Sequence, residues 1–534
     1  MRIRTTTLLL AILFGSFSTV HAQRLKADKD KESRVRSIEL DYQTRTAGPM
    51  MFFDARKHSW FGLAVSSDIM AAIWNPAVRD IFEEFNASKI KEIKKAGYTP
   101  VRFTYLEGRP TLFVRKSDDK SASRLYIWPL GAGNRPMGRR PTYMGRASQC
   151  SDRTLSENIR VLTDPESQAR GFLSQLNCSR GEAIEFSYIS LDTAGKVIFE
   201  KKIRATEEFR SHDGQLVVLN EDRAFYAIKH KGNQGRFAQY NGFYEINKDG
   251  ATFHSLDIDG YVLRDYFLHV GKDGNIYARG LVSSKVAGDM IGAATIRFNV
   301  GSGSFDDIKV EAFDGEALAA SIIEKKRIKP KDVERDAPAV EFILNQSHID
   351  RNGNVYLFAQ NREVKTKRIM QVSSGTEATI RHYIYRDIMV VKMAQDGSIL
   401  FTEVIPSTNV YSNFTPTEGY SFAFHQDLLY IVHPAYNGDL ASFDLESSKI
   451  TLPNTLATAN SVMTVSTIDS KGTFNSRDVF DFARSEAIFD PGHVLYDGSN
   501  NALFVLARNA KKRRDLIQMK ISFPKEGAST SSED

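Results

Sequence analysis

The chain is poor in the residues that build the commoner metal and redox sites. Only two cysteines, Cys150 and Cys178, occur in 534 residues, and no CxxC is present. A thioredoxin-like centre and a zinc knuckle are thereby excluded. HExxH, HxxEH, GxSxG and Walker A patterns are also missing, so zinc-hydrolase, nucleophile-elbow and P-loop chemistry have no visible carrier. No metal site and no cofactor is expected. An excess of one charge is lacking too: 71 Lys and Arg stand against 65 Asp and Glu, a formal +6. That balance is too mild to indicate a nucleic-acid binder by itself, and no recognised nucleic-acid motif accompanies it. With 42% apolar, 25% charged and 11% aromatic residues, the composition is that of a globular protein.

What the chain does have begins at its start. Arg2 and Arg4 precede a short apolar run, Leu8 to Phe14, and Val20-His21-Ala22 supplies small residues before Gln23. Residues 1–22 therefore read as a secretory signal, which predicts an exported protein, periplasmic or extracellular. No later apolar run reaches the ~20 residues of a spanning helix, so the mature chain is expected to lack a transmembrane segment. In an oxidising compartment Cys150 and Cys178 are compatible with one disulfide, contributing ~3–4 kcal/mol by loop entropy; two unrelated buried thiols are the alternative. Residues 23–98 read as an N-terminal segment with a helix near 76–95. Asn75 and Pro76 open that helix, Asp80, Glu83 and Glu84 come early, and Lys89, Lys91, Lys94 and Lys95 come late. Ser88-Lys89-Ile90-Lys91 matches S-x-x-K, but the partner motifs S-D-N and K-T-G are missing. Residues 524–534 read as a disordered tail.

From residue 99 to 523 short β-rich runs alternate with Gly, Asp and Asn turns. One turn type follows D-x-x-G-N-x-Y, complete in Asp350 to Tyr356 and shortened in Asp273-Gly274-Asn275-Ile276-Tyr277. Looser copies lie at Asp213-Gly214, at His425 to Tyr430 and at Gly498 to Phe504. A second type is a plain hairpin around Asp249-Gly250, Asp396-Gly397 and Lys471-Gly472, with weaker cases at Ala194-Gly195 and Gly303. Glycine after Asp or Asn between apolar runs marks a tight turn because such turns need positive φ. The two types alternate, which gives four strands per unit and predicts an all-β protein, a β-propeller of about seven four-stranded blades, with six as the alternative. Asp257-Ile258-Asp259-Gly260 reads as a turn between blades, since it lacks the further carboxylates of a calcium loop.

The only tryptophans are Trp60, Trp74 and Trp128, so nothing after residue 128 can carry a tryptophan-bearing motif, which excludes WD40, sialidase and quinoprotein blades. What remains resembles the exported β-propellers of Gram-negative bacteria that carry NHL-like D-x-x-G-N-x-Y turns. The resemblance covers about residues 209–523 and implies a fold, not a catalytic residue.

In a four-stranded antiparallel blade the second-to-third-strand connections all leave by the end opposite the glycine turns. Those connections are expected at 230–242, 280–295, 360–387, 433–440 and 507–515, and together they carry 14 Lys and Arg against 6 Asp and Glu. Long loops on a rigid scaffold are common binding sites. The candidate ligand-binding residues are Arg362, Lys365, Lys367, Arg368, Arg381, His382, Tyr383 and Arg386 on one long loop, and Lys511, Lys512, Arg513 and Arg514 at a hairpin tip. They predict a non-catalytic binder of an anionic glycan, a lipid head group or an acidic protein. Two alternatives are a hydrolase or lyase acting on anionic glycans, with His382, Tyr383 and Arg386 as candidate groups, and a scaffold of an envelope complex, which would expose a large apolar patch.

Overall fold

The computed structural model describes strands between Val20 and Ser522 and many of the tight turns joining them. Residues 1–19, 25–49, 86–92, 130–139, 148–159, 177–184, 231–240, 314–341, 437–460, 510–515 and 523–534, with shorter stretches between strands, lie outside the described residues. In 20–85, 362–384 and 477–522 the description is of the backbone.

Strand β1 (Val20–Arg24) stands apart in sequence from the rest. A first sheet comprises β2 (Met50–Asp54), β3 (Ser59–Val65), β4 (Ile69–Asn75) and β5 (Asp80–Phe85). The second holds β6 (Thr99–Leu106), β7 (Arg109–Asp118), β8 (Ala122–Pro129) and β9 (Thr142–Ala147). The third holds β10 (Arg160–Thr163), β11 (Arg170–Gln175), β12 (Glu185–Leu191) and β13 (Val197–Arg204). In the fourth are β14 (His212–Asn220), β15 (Arg223–His230), β16 (Asn241–Asn247) and β17 (Ala251–Ser255). The fifth has β18 (Val262–Val270), β19 (Ile276–Ser283), β20 (Met290–Asn299) and β21 (Ser304–Ala312). The sixth has β22 (Phe342–Ile349), β23 (Val355–Gln371), β24 (Thr376–Met393) and β25 (Ile399–Ile405), and β26 (Asn409–Ser412) adds to β24. The seventh comprises β27 (Ser421–His425), β28 (Leu428–Tyr436), β29 (Ser461–Ile468) and β30 (Phe474–Asp481). The eighth comprises β31 (Ala487–Asp497), β32 (Ala502–Asn509) and β33 (Leu516–Ser522), with β1 paired antiparallel to β33 from Val20↔Ile521 to Arg24↔Ile517.

Among the described residues, then, eight antiparallel sheets are stacked in chain order; six are simple meanders, the sixth adds β26 to its third strand and the eighth adds the N-terminal β1 to its last. Neighbouring sheets share their apolar faces. Phe113 and Phe172 stack at 5.5 Å between the second and third sheets. Phe186 meets Tyr226 between the third and fourth, and Phe358 stacks on Phe422 at 4.1 Å between the sixth and seventh. The middle strands read as continuous apolar runs, such as Val355 to Ala359 and Ile388 to Val391, because both of their faces are buried. The last strands β13, β17 and β21 are largely exposed. First strands of successive sheets touch, as β10 does β14, β14 does β18 and β18 does β22. Sheets stacked face to face with their first strands adjacent are consistent with a β-propeller.

Glycine is required where the sheets turn. In Gly271–Asn275, Asp350–Asn354, Ala394–Ser398 and Asp469–Thr473 the first amide donates to the fifth carbonyl and the fourth amide to the first carbonyl. The fourth residue in each is a glycine, Gly274, Gly353, Gly397 or Gly472, with φ between +73° and +91°. These copies of the two turn types thus share one geometry, a tight turn closed by a left-handed bulge, whereas at Asp249-Gly250 the Asn247 amide donates to the Gly250 carbonyl and Gly250 has no positive φ. Aspartates complete it. Asp350 Oδ1 accepts from the amides of Asn352 and Asn354 at 2.9 and 2.8 Å, while Oδ2 accepts from Asn354 Nδ2. The Thr473 amide, followed by that of Lys471, holds the Asp469 carboxyl below its ordinary value. Asp350→Ala is expected to cost about 1–2 kcal/mol by leaving those amides without their acceptor, read as a lower urea midpoint; Asp350→Asn, which keeps one acceptor, should lose less.

Three expectations change. The helix near 76–95 is replaced by strand β5, paired with β4 from Ala71↔Phe85 to Asn75↔Asp80, and only Ile93 and Lys95 are helical among its described residues. Helix propensity differences are tenths of a kcal/mol per residue, and a waiting ladder outweighs them. The 23–98 segment is therefore built around a sheet. Asp213-Gly214 is not a turn; it lies inside β14, where a Cβ on Gly214 would collide with the Tyr226 ring. The chain turns instead at Glu221-Asp222, capped by Asn220. Finally, 360–387 is not a loop. By contrast Asp257 to Gly260 is the expected turn between sheets, with Gly260 at φ +77° and an Ile258↔Tyr261 bridge.

Candidate functional site

The long basic segment is a hairpin that runs far beyond its sheet. Strands β23 and β24 stay paired from Val355↔Met393 to Gln371↔Thr376, whereas β22 leaves β23 at Phe342↔Asn361. A bulge between Gln360 and Arg362 marks the point of departure, and bulges bend and re-aim the strand that carries them. β26 pairs with β24 from Tyr385↔Asn409 to His382↔Ser412, so the first part of the projecting ribbon has three strands.

Register divides the candidate residues between two faces, because successive residues of a strand alternate. Arg362↔Tyr385, Val364↔Tyr383, Thr366↔Arg381 and Arg368↔Thr379 fall on one face, with Tyr411 opposite Tyr383. Glu363↔Ile384, Lys365↔His382 and Lys367↔Ile380 fall on the other. His382 and Tyr383 thus occupy opposite faces. Lys511, Lys512, Arg513 and Arg514 lie outside the described residues, in the connection from β32 to β33, and Cys150 and Cys178 lie outside them as well.

The root of the ribbon is tied by a buried polar network. Both ends of the Gln360 amide are used: Nε2 donates to the Arg386 carbonyl at 3.0 Å and Oε1 accepts from the Gly419 amide at 3.0 Å. Asp387 accepts from the Ser407 amide, and the Ser407 hydroxyl donates to the Pro434 carbonyl at 2.9 Å. One residue before, His433 Nε2 meets Ser466 Oγ at 2.8 Å, and Ser466 in turn meets Ser476. Gln360, Tyr385, Asp387, Ser407, His433 and Ser466 are all buried. Satisfied buried networks fix one arrangement of the elements they join. Arg386 is half-buried at this root, apart from the projecting residues.

The opposite, glycine-turn end is stitched by cations. Arg223 donates to the Val300 carbonyl at 3.0 Å, Arg279 to that of Gln395 at 2.9 Å and Lys392 to that of Ser470 at 3.2 Å. Each bond runs from one sheet to a turn of the next. Burial lowers Arg279 to about 10, and its guanidinium lies 4.8 Å from the Tyr277 ring centre. His269 and His348 each sit opposite the tyrosine after the turn, His269↔Tyr277 and His348↔Tyr356. Burial lowers both imidazoles, His269 to about 3. The wider pattern, H-x-x-x-x-G-N-x-Y, stands in the sequence twice and signals that the turn motif begins one strand earlier than its aspartate. Among the described residues no group of three His, Cys, Asp or Glu could hold a metal ion, and no helix is long and apolar enough to cross a membrane.

No family model and no curated protein matches the chain. Among solved structures it is similar to the β-propeller domain of the Trilobed protease from Pyrococcus furiosus, which has an open velcro topology. That match has 10% identity, covers 87% of this chain and 96% of that one, and has a TM-score of 0.31. An ACO/RPE65 chimera matches at 10% identity over 92% and 97% of the two chains, TM-score 0.31. A point mutant of the Synechocystis apocarotenoid oxygenase matches at 9% identity over 92% and 97%, TM-score 0.32. The β-propeller character rests on this chain's own sheet order.

Proposed function

We propose that the protein is an exported, non-catalytic β-propeller that binds an anionic ligand or an acidic protein partner through the basic end of its blades. The eight sheets are its blades, and their first strands line the axis. The observation that carries this reading is the order of strands. In an antiparallel meander the second-to-third-strand connection leaves from the end opposite the first-to-second turn, and the β23–β24 ribbon projects from that end. His382 and Tyr383, which a lyase would need together, fall on opposite faces of one strand, and this favours binding over catalysis.

The test is a glycan and lipid array probed with protein purified from its exported form, whose intact mass also reports its N-terminus. Cleavage after Ala22 would leave only Gln23 and Arg24 of β1. Binding confined to anionic spots is expected, and it should weaken when Lys511, Lys512, Arg513 and Arg514 are all changed to Glu. Equal binding to neutral and anionic spots, or none to either, refutes the proposal.

A further inference from the structure

Resting on the reading above, we propose that the ligand is a linear acidic polysaccharide and that it lies along one face of the β23–β24 ribbon, the face of Arg362, Arg368, Arg381, Tyr383 and Tyr411. The argument begins with spacing. Arg362 and Arg368 are six residues apart on β23, about 20 Å at the usual strand rise, and Arg381 opposes Thr366 between them. Cations strung along a strand fit repeated charges on an extended polymer, whereas a single small anion needs them gathered to a point.

The type of residue sharpens the choice. Guanidinium forks match carboxylates and sulfates in two-point geometry, which the ammonium of lysine does not. Tyrosines paired across the strands, Tyr383↔Tyr411, add flat apolar rings with a polar rim, suited to the C–H faces of sugar rings. The opposite face places isoleucines, Ile369, Ile380 and Ile384, among Lys365, Lys367 and His382. Acidic residues are sparse: Glu377 is the one on the arginine face, near the tip, and Glu363 lies on the other. Residues 372–375, which join β23 to β24 in the sequence, include no aromatic or long apolar residue, and this argues against insertion into a lipid surface. The root is held by the Gln360 and Asp387 bonds, so the ribbon presents its face without a large ordering cost.

The experiment titrates the full exported protein with polygalacturonate, heparin, neutral dextran and a single-stranded DNA oligomer. Four proteins are compared: wild type, Arg362→Ser/Arg368→Ser/Arg381→Ser, Lys365→Ser/Lys367→Ser, and the reversal of Lys511 to Arg514 to Glu, with circular dichroism confirming that each is folded. Binding of an acidic polysaccharide but not dextran is expected, weakened at least tenfold by the arginine changes and less than threefold by the lysine changes. Equal loss in both variants overturns the face assignment. Loss in neither, while the Lys511–Arg514 reversal still abolishes binding, overturns the ribbon but leaves the basic-end reading intact. Tight binding of DNA alone overturns the polysaccharide class. Failure to bind any anionic polymer, together with failure of the array, overturns the function as well.

Discussion

Phe298→Ala is expected to lower stability by about 3–5 kcal/mol, the usual cost of removing a buried aromatic ring. Phe298 is 1% exposed and stands where the fourth and fifth sheets meet. Its ring centre lies 4.5 Å from that of His254, 5.2 Å from Phe243 and 6.1 Å from Phe225, all of the fourth sheet, and 5.3 Å from Phe305 of its own. Alanine would leave a hole bounded by four rings on two sheets that cannot close without moving one sheet toward the other. The damage extends to charge. His254 Nε2 is 3.1 Å from Glu245, which is 3.3 Å from Arg223, whose guanidinium also reaches the Val300 carbonyl. Urea unfolding of the variant should show a large drop in midpoint, and Phe298→Leu, which fills most of the space, a much smaller one. A drop below about 1 kcal/mol for the alanine variant would mean that the two sheets do not bury this ring between them.

Stability should fall as the solution is acidified from pH 6.5 toward pH 4, and His269 should account for much of the fall. The side chain is buried, its Nε2 has no hydrogen-bond partner, and burial, then the nearby Arg279 charge, lower it to about 3. In the unfolded chain the imidazole titrates at its ordinary value near 6.5. Between these values the unfolded state binds a proton that the folded state refuses, so stability rises with pH across the window and is complete above it. The linkage is worth about 2–3 kcal/mol between pH 6.5 and 4.5. His348, also lowered by burial, acts in the same direction, and the Asp273, Asp396 and Asp469 carboxyls add their losses only below their ordinary range. Urea midpoints across pH 4–8 for wild type and His269→Gln provide the measurement. The variant should show a flatter curve over this window; parallel curves would mean that His269 accepts its proton without unfolding.

The ribbon shows where reading residues in order runs out. In Arg362 to Arg386 charged, apolar and aromatic residues follow each other without a clean period of two. Composition alone therefore resembles a loop, and only the ladder with β24 reveals a strand. The same holds at Asp80–Phe85, where charges ordered as in a helix are overridden by pairing with β4. Arg279, Lys392 and Arg223 likewise gave no sign that their partners would be carbonyls of the next sheet, which lie far along the chain.

The amino-acid order alone determined the β character of the chain, its repeating four-strand unit and most of its turns. These depend on local physics: positive φ at Gly274, Gly353, Gly397 and Gly472, aspartate bonds within five residues, and apolar runs in strands buried on both faces. Tertiary structure decided the number of sheets, the pairing of β1 with β33 across almost the whole chain, the projection of the β23–β24 ribbon and the division of its cations between two faces. Each of these is a choice of partner between distant segments. Such choices are set by register and by which surfaces remain to be buried, quantities that no short stretch of residues contains.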